Sequence, residues 1–259
     1  VDLPVDRWYR AISTRVSRRA YSPLLPEKEK LARLTQVCRE FRPFPEVRSE
    51  VVLRQPEDVF KGLVGSYGRV AGAPAYIAFI GRMDSSRVQE AAGYTGEGII
   101  LEATALGLAT CWVGGFFRPE TVRVQMEMRE EEKALSITPV GYAPSRKTRQ
   151  EKIMSGVVKA RRRKPLNMLV SGAIDAPWMA AALEAARLAP SARNRQPWRF
   201  RLERGAVIIA ADRASIPSAI SKRLDCGIAM LHFELGARAG GVSGKWESLP
   251  SPDVARFVY

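Results

Sequence analysis

The sequence predicts an α+β protein, and three observations carry that reading. Short apolar runs bounded by glycine or proline, the mark of strands, recur between longer segments whose apolar residues sit at helical spacing. Apolar residues make up 46% of the chain and charged residues 26%, the balance of a globular protein with a packed core. At 259 residues the chain suffices for one large domain or two smaller, tightly joined ones.

Element by element, residues 11–23 (Ala-Ile-Ser-Thr-Arg-Val-Ser-Arg-Arg-Ala-Tyr-Ser-Pro) form the first distinctive segment. A helix is predicted over 26–38, where Leu31, Leu34 and Val37 recur at helical spacing. Three prolines within 39–56 predict irregular or short extended structure. Residues 73–81, apolar and aromatic-rich, read as a buried strand. A long helix follows from about 85 to 106, with Leu101, Ala105 and Leu108 in register and a break at Gly107. A charged helix is expected around 129–133, then a strand over 134–142. Asp175 is the expected N-cap of a helix with Pro177 in its first turn, stopping before Pro190. A strand over 206–211 and a helix over 226–237 complete the reading, with the linker between halves placed within 164–175.

Several function classes are excluded early. The longest uncharged run, 103–117, is 15 residues and too short to span a bilayer. The first ten residues already carry Asp2, Asp6, Arg7 and Arg10, so no signal-peptide core is expected there. Cys38, Cys111 and Cys226 lie far apart without a CxxC pair, which excludes a zinc ribbon and fits a reducing cytoplasm. The one histidine, His232, cannot build a His-rich metal site, and its apolar surroundings read as a structural position.

The formal net charge is +14, and +8 of it falls within 146–164, which holds nine bases and one acid, Glu151. Such a segment suits a nucleic-acid backbone, one phosphorylated cofactor or a solvated face, and composition alone does not choose. A faint internal repeat pairs Gly98, Ile99, Leu106 and Gly107 with Gly227, Ile228, Leu235 and Gly236 at a constant offset of 129.

The segment Pro190-Ser-Ala-Arg-Asn-Arg-Gln-Pro-Trp198 favours a tight, self-bonded loop that presents a hydroxyl, an amide and backbone N–H groups. It belongs to a set. Arg15-x-Ser17-x-Arg19-x-Tyr21, the run 105–115 ending Trp112-Val-Gly114-Gly115, the Gly141-Tyr142 strand end and Arg161-x-Arg163-x-Pro165-Leu166 complete it. This set resembles the FMN-dependent nitroreductase family across most of the chain. The resemblance implies a nitroreductase-like fold, mainly antiparallel sheets packed with helices. It implies that Arg15, Ser17, Arg161 and Arg163 hold the flavin phosphate, for which guanidinium and hydroxyl donors are suited. Arg19 would sit at the ring edge that gains negative charge on reduction. Gly114 and Gly115 would bring backbone close to flavin N5, and Pro190, Ser191 and Asn194 would pack on and bond the ring.

The chain departs from the family pattern in one respect. Family members are homodimers whose Pro-Ser-x-x-Asn loop follows soon after the Arg-x-Ser-x-Arg start and reaches the partner's flavin. Here the corresponding place, 39–48, holds no Ser or Asn, and the loop stands in the second half. Together with the repeat, this implies an internal pseudo-dimer: residues 1–170 carry the phosphate clamp and N5 loop, and 171–259 the ring-facing loop. In the second half 238–245 (Arg-Ala-Gly-Gly-Val-Ser-Gly-Lys) replaces the Trp-Val-Gly-Gly run, so one FMN per chain is expected.

The implied activity is an FMN-dependent oxidoreductase that passes hydride from NAD(P)H through flavin to a small acceptor such as a nitroaromatic or quinone. No catalytic residue is assigned, because the cofactor carries the chemistry. The expected protein is a cytoplasmic monomer without metal, membrane or nucleic-acid partner. Two alternatives stay open: a flavin-binding storage or regulatory protein with little turnover, and a polyanion binder using 146–164.

Overall fold

The computed structural model describes residues 2–53, 56–60, 70–115, 117–157, 159, 162–213 and 220–259. The chain opens with α1 (Val5–Thr14), which buries Trp8, Ala11 and Ile12 on one stripe, and α2 (Lys28–Glu40), which buries Leu34, Val37 and Cys38. Then come β1 (Val47–Val52), α3 (Pro56–Phe60), β2 (Ala75–Arg82), α4 (Val88–Ala105), β3 (Ala109–Thr110), α5 (Pro119–Gln125), β4 (Glu132–Gly141) and α6 (Arg149–Val157). The second part holds β5 (Val170–Ser171), α7 (Pro177–Arg187), β6 (Trp198–Glu203), β7 (Ala206–Ala211), α8 (Lys222–Ala239), β8 (Lys245–Ser248) and β9 (Asp253–Val258). The fold is α+β, as the sequence predicts.

The strands make two sheets. The first has the order β1-β2-β4-β3, antiparallel throughout; the second has β5-β6-β7-β9-β8, antiparallel except for the parallel β5–β6 pair. Leaving β5 aside, two strands precede a long helix in each sheet and two follow it, and β6-β7-β9-β8 repeats the order β1-β2-β4-β3.

Those long helices, α4 and α8, form the centre. Each has 18 residues and is buried on nearly every side, so neither shows the one-sided apolar stripe of a surface helix. They cross in direct backbone contact. A Cβ on Gly93 would stand 2.0 Å from the Leu224 carbonyl oxygen, and one on Gly227 would stand 2.0 Å from that of Glu90. No other residue fits at either position. Gly93 and Gly227 are 134 residues apart, as are the helix starts Val88 and Lys222 and the helix ends Ala105 and Ala239. The sequence match is at 129, a different offset.

Other expectations are adjusted. There is no helix at 129–133: Glu127 takes a left-handed φ of 46° after α5, and Glu132 already starts β4. The helix lies earlier, where Pro119 at the first helical position provides a start. Within 39–56, β1 pairs along β2 from Val47↔Gly81 to Val52↔Tyr76, a partnership no local pattern announces. The N-cap of α7 is Ala176 rather than Asp175. Helix α8 begins four residues before the expected Cys226, because the Ser221 hydroxyl accepts the Arg223 N–H at 3.2 Å. Within the described residues no helix is long and apolar enough to cross a membrane, and no side-chain group suits a metal.

Candidate functional site

The Arg15-x-Ser17-x-Arg19 segment leaves α1 and joins the first sheet: Ser17 bridges Thr110 of β3, and the Arg18 N–H donates to the Thr110 carbonyl at 2.9 Å. Glu151 of α6 holds it from another side. Its carboxylate accepts the backbone N–H of Arg19 at 2.8 Å and of Ala20 at 3.3 Å, with Arg18 Nε at 3.2 Å and the Thr148 N–H at 2.9 Å. Burial raises the Glu151 pKa, but these donors outweigh it and hold the carboxyl at about 2.

Arg15 turns inward. Its side chain is only 7% exposed, and Nε lies 3.7 Å from Glu97 Oε1 on α4. That Nε is buried without a hydrogen-bond partner among the described residues. Arg163 approaches from the basic segment, donating Nη1 to Asn194 Oδ1 at 3.1 Å and Nη2 to the Leu188 carbonyl at 3.2 Å. Burial lowers its pKa to about 10, and the charges of Arg15 and Arg187 push the same way. Three guanidinium groups thus share one region; Glu184 pairs with Arg187 at 2.6 Å, and a bound anion would relieve the remaining charge of Arg15 and Arg163. Arg161 lies outside the described residues. The Arg19 guanidinium makes no hydrogen bond or ion pair among the described residues.

The Pro190–Trp198 loop is strained and heavily braced. Arg193, Asn194 and Gln196 have φ of 55°, 52° and 48°, the left-handed region that costs non-glycine residues energy. Ser191 Oγ accepts the Gln196 N–H at 2.9 Å. The Asn194 amide donates to the Lys159 and Arg162 carbonyls, both at 2.8 Å, and the Lys164 N–H donates to Gln196 Oε1 at 2.8 Å. Asp225, in the first turn of α8, accepts the Ala192 N–H at 3.0 Å and Arg195 Nε at 2.7 Å. Burial pushes the Asp225 pKa up to about 6, against the pull of Arg195. With both ends of its amide engaged, Asn194 ties the loop to Lys159, Arg162 and Arg163.

Gly114 and Gly115 line a cleft of about 240 Å³ with Gln89, Lys133, Ile220 and Ser221. A Cβ on Gly114 would come within 3.1 Å of Ile220 Cγ1. The Ile220 carbonyl accepts Arg195 Nη2 at 2.8 Å, so the glycine loop and the Pro190–Trp198 loop meet at the entrance to α8. A larger open cleft of about 770 Å³ lies along β1 and the start of β4. It contains none of the expected site residues, and Arg48 in its lining pairs with Glu132 at 2.8 Å.

A family model described as "Putative TM nitroreductase" matches residues 7–237. The chain belongs to this nitroreductase family. A solved nitroreductase-like protein from Thermotoga maritima shares the fold with a TM-score of 0.68, at 20% identity over 97% of this chain and 93% of that one. A nitroreductase family protein from Clostridium difficile matches 65% of this chain and 98% of its own at 20% identity, TM-score 0.48. A nitroreductase with bound FMN from Bacteroides fragilis matches 53% and 88% at 16% identity, TM-score 0.42. Comparison with curated proteins returns no match.

Membership of the nitroreductase family makes the chain an oxidoreductase by kinship. The residues supporting the site that sequence reading missed are Glu97, Glu151, Arg187 and Asp225. Only Glu151 and Asp225 left a signal, the first as the lone acid of the basic segment and the second as an acid one turn after Ser221.

Proposed function

We propose that this chain is an FMN-dependent oxidoreductase moving hydride from NAD(P)H to a small acceptor such as a nitroaromatic or quinone. The carrying observation is the buried Arg15 Nε, left without a hydrogen bond in the same charged neighbourhood as Arg163 and Arg187. A dianionic phosphate group fits that donor set. When bound, FMN supplies the hydride chemistry at its N5. Arg15, Ser17 and Arg163, with Arg161, hold the phosphate end. Arg19 offers positive charge at the ring edge, Gly114 and Gly115 present backbone from the cleft they line, and Pro190 and Ser191 form a wall that Asn194 braces.

We also propose that residues 1–170 and 171–259 stand to one another as two subunits of a family dimer. The equal lengths of α4 and α8, their glycine crossing and the common strand order support this. One FMN per chain and a monomeric protein follow from it, and the three free cysteines suit a cytoplasmic one. The purified protein should show a flavin spectrum that NADH or NADPH bleaches, and acid should release FMN approaching one per chain. A protein that neither retains nor takes up FMN would overturn the reading; two FMN per chain, or an obligate dimer sharing its sites, would overturn the pseudo-dimer.

A further inference from the structure

The sole histidine meets a carboxylate at the centre of the molecule. His232 of α8 and Glu97 of α4 are both completely buried, with Nε2 2.9 Å from Glu97 Oε1. His232 Nδ1 lies 3.0 Å from the Ala185 carbonyl of α7. The other carboxylate oxygen, Glu97 Oε2, accepts Trp112 Nε1 at 2.6 Å. Arg15 stands on the remaining side, 3.7 Å from Oε1.

Hydrogen-bond accounting counts the protons. A carbonyl only accepts, so Nδ1 must carry hydrogen. A neutral imidazole then has a bare Nε2, which cannot face a bare carboxylate oxygen at 2.9 Å. One further proton therefore lies between Nε2 and Oε1, whether written as imidazolium with carboxylate or imidazole with carboxylic acid. In either form the pair has no net charge. Although Glu97 is within ion-pair distance of Arg15 at 3.7 Å, the His232–Glu97 pair as a whole brings no net negative charge to cancel it.

Resting on the phosphate-clamp reading above, we propose that His232 is a positioning residue that keeps Glu97 charge-balanced, so that the positive charge of the Arg15 guanidinium stays uncompensated and available to the flavin phosphate. Helix α8 of the second half thereby tunes the clamp of the first. Without the imidazole, the Glu97 carboxylate would take Arg15 as its counter-ion and compete with the phosphate.

The test compares FMN, which bears the phosphate, with riboflavin, which does not. In titrations of the full chain, His232→Gln should weaken FMN by roughly tenfold while riboflavin affinity stays near that of the parent. Adding Glu97→Gln to that variant removes the stranded charge and should restore FMN affinity. Equal weakening of both ligands, or no rescue, would overturn the proposal. Should His232→Gln not fold, Glu97→Gln alone decides: retained FMN affinity supports charge balance, whereas a selective loss of FMN would make Glu97 an ionised anchor for Arg15. A ligand-free measurement stands beside these. With one histidine in the chain, the imidazole 15N spectrum must show a protonated Nδ1, and a bare Nδ1 would refute the accounting. If the parent binds neither ligand while Nδ1 is protonated, the flavin reading fails and the proton count survives.

Discussion

Replacing Glu151 with glutamine probes how the Arg-x-Ser-x-Arg segment is held. The carboxylate accepts two backbone N–H groups of that segment, the Arg18 guanidinium and the Thr148 N–H, while the residue is almost fully buried. Glutamine keeps the shape but turns one acceptor oxygen into an NH2 that faces donors. The lost charge assistance and one frustrated donor should cost about 2–3 kcal/mol of stability. The pH dependence gives a sharper signature. With its pKa held at about 2 in the folded chain against an ordinary value near 4.5, Glu151 contributes stability that is complete above pH 4.5. That contribution fades as pH falls from there toward 2. Urea midpoints measured from pH 2.5 to 7 should therefore fall steeply at the acid end for the parent and less steeply for Glu151→Gln. Equal midpoints at neutral pH, together with parallel acid limbs, would show that the carboxylate does not hold the segment.

Arg15→Ala or Arg163→Ala should cost FMN binding roughly 1.5–3 kcal/mol and riboflavin much less, read by fluorescence titration; equal losses would remove them from the phosphate. Asn194→Ala frees the Arg163 guanidinium from its side-chain brace, so it should weaken FMN more than riboflavin, and an unchanged FMN affinity would mean the brace is dispensable. Asp225 behaves opposite to Glu151: its folded pKa of about 6 lies above the ordinary 3.8, so its share of stability rises as pH drops through that window. Asp225→Asn should flatten the parent's slope between pH 4 and 6, which the same urea series reads. Gly227→Ala would drive a methyl into the Glu90 carbonyl and should cost more than about 3 kcal/mol or prevent folding, whereas Gly107→Ala at a solvent-open turn should cost less despite its φ of 77°.

By itself, the sequence determined whatever depends on neighbours along the chain. The strand at 206–211 coincides with β7, the core strand β2 lies within two residues of its expected position, and the α+β class was visible in the spacing of apolar runs. The Pro190–Trp198 loop and the Arg-x-Ser-x-Arg segment were legible because turn-forming and basic residues signal locally. What only the tertiary structure decided involves partners distant in the chain. Strand β1 exists because β2 supplies its hydrogen bonds, and no helix forms at 129–133 because β4 already pairs with β2 from Glu132↔Arg82. The helices α4 and α8 hide their register, since a helix buried on all sides has no polar face to mark its orientation. The glycines at which they touch, Gly93 and Gly227, stand 134 residues apart, an offset that the matching letters at 129 do not reveal. Likewise His232 reads as a plain core histidine until folding brings Glu97, 135 positions away, within 2.9 Å of it. Hydrogen-bond partners of buried charges are chosen in three dimensions, where desolvation makes every unpaired group costly, and no local spacing records that choice.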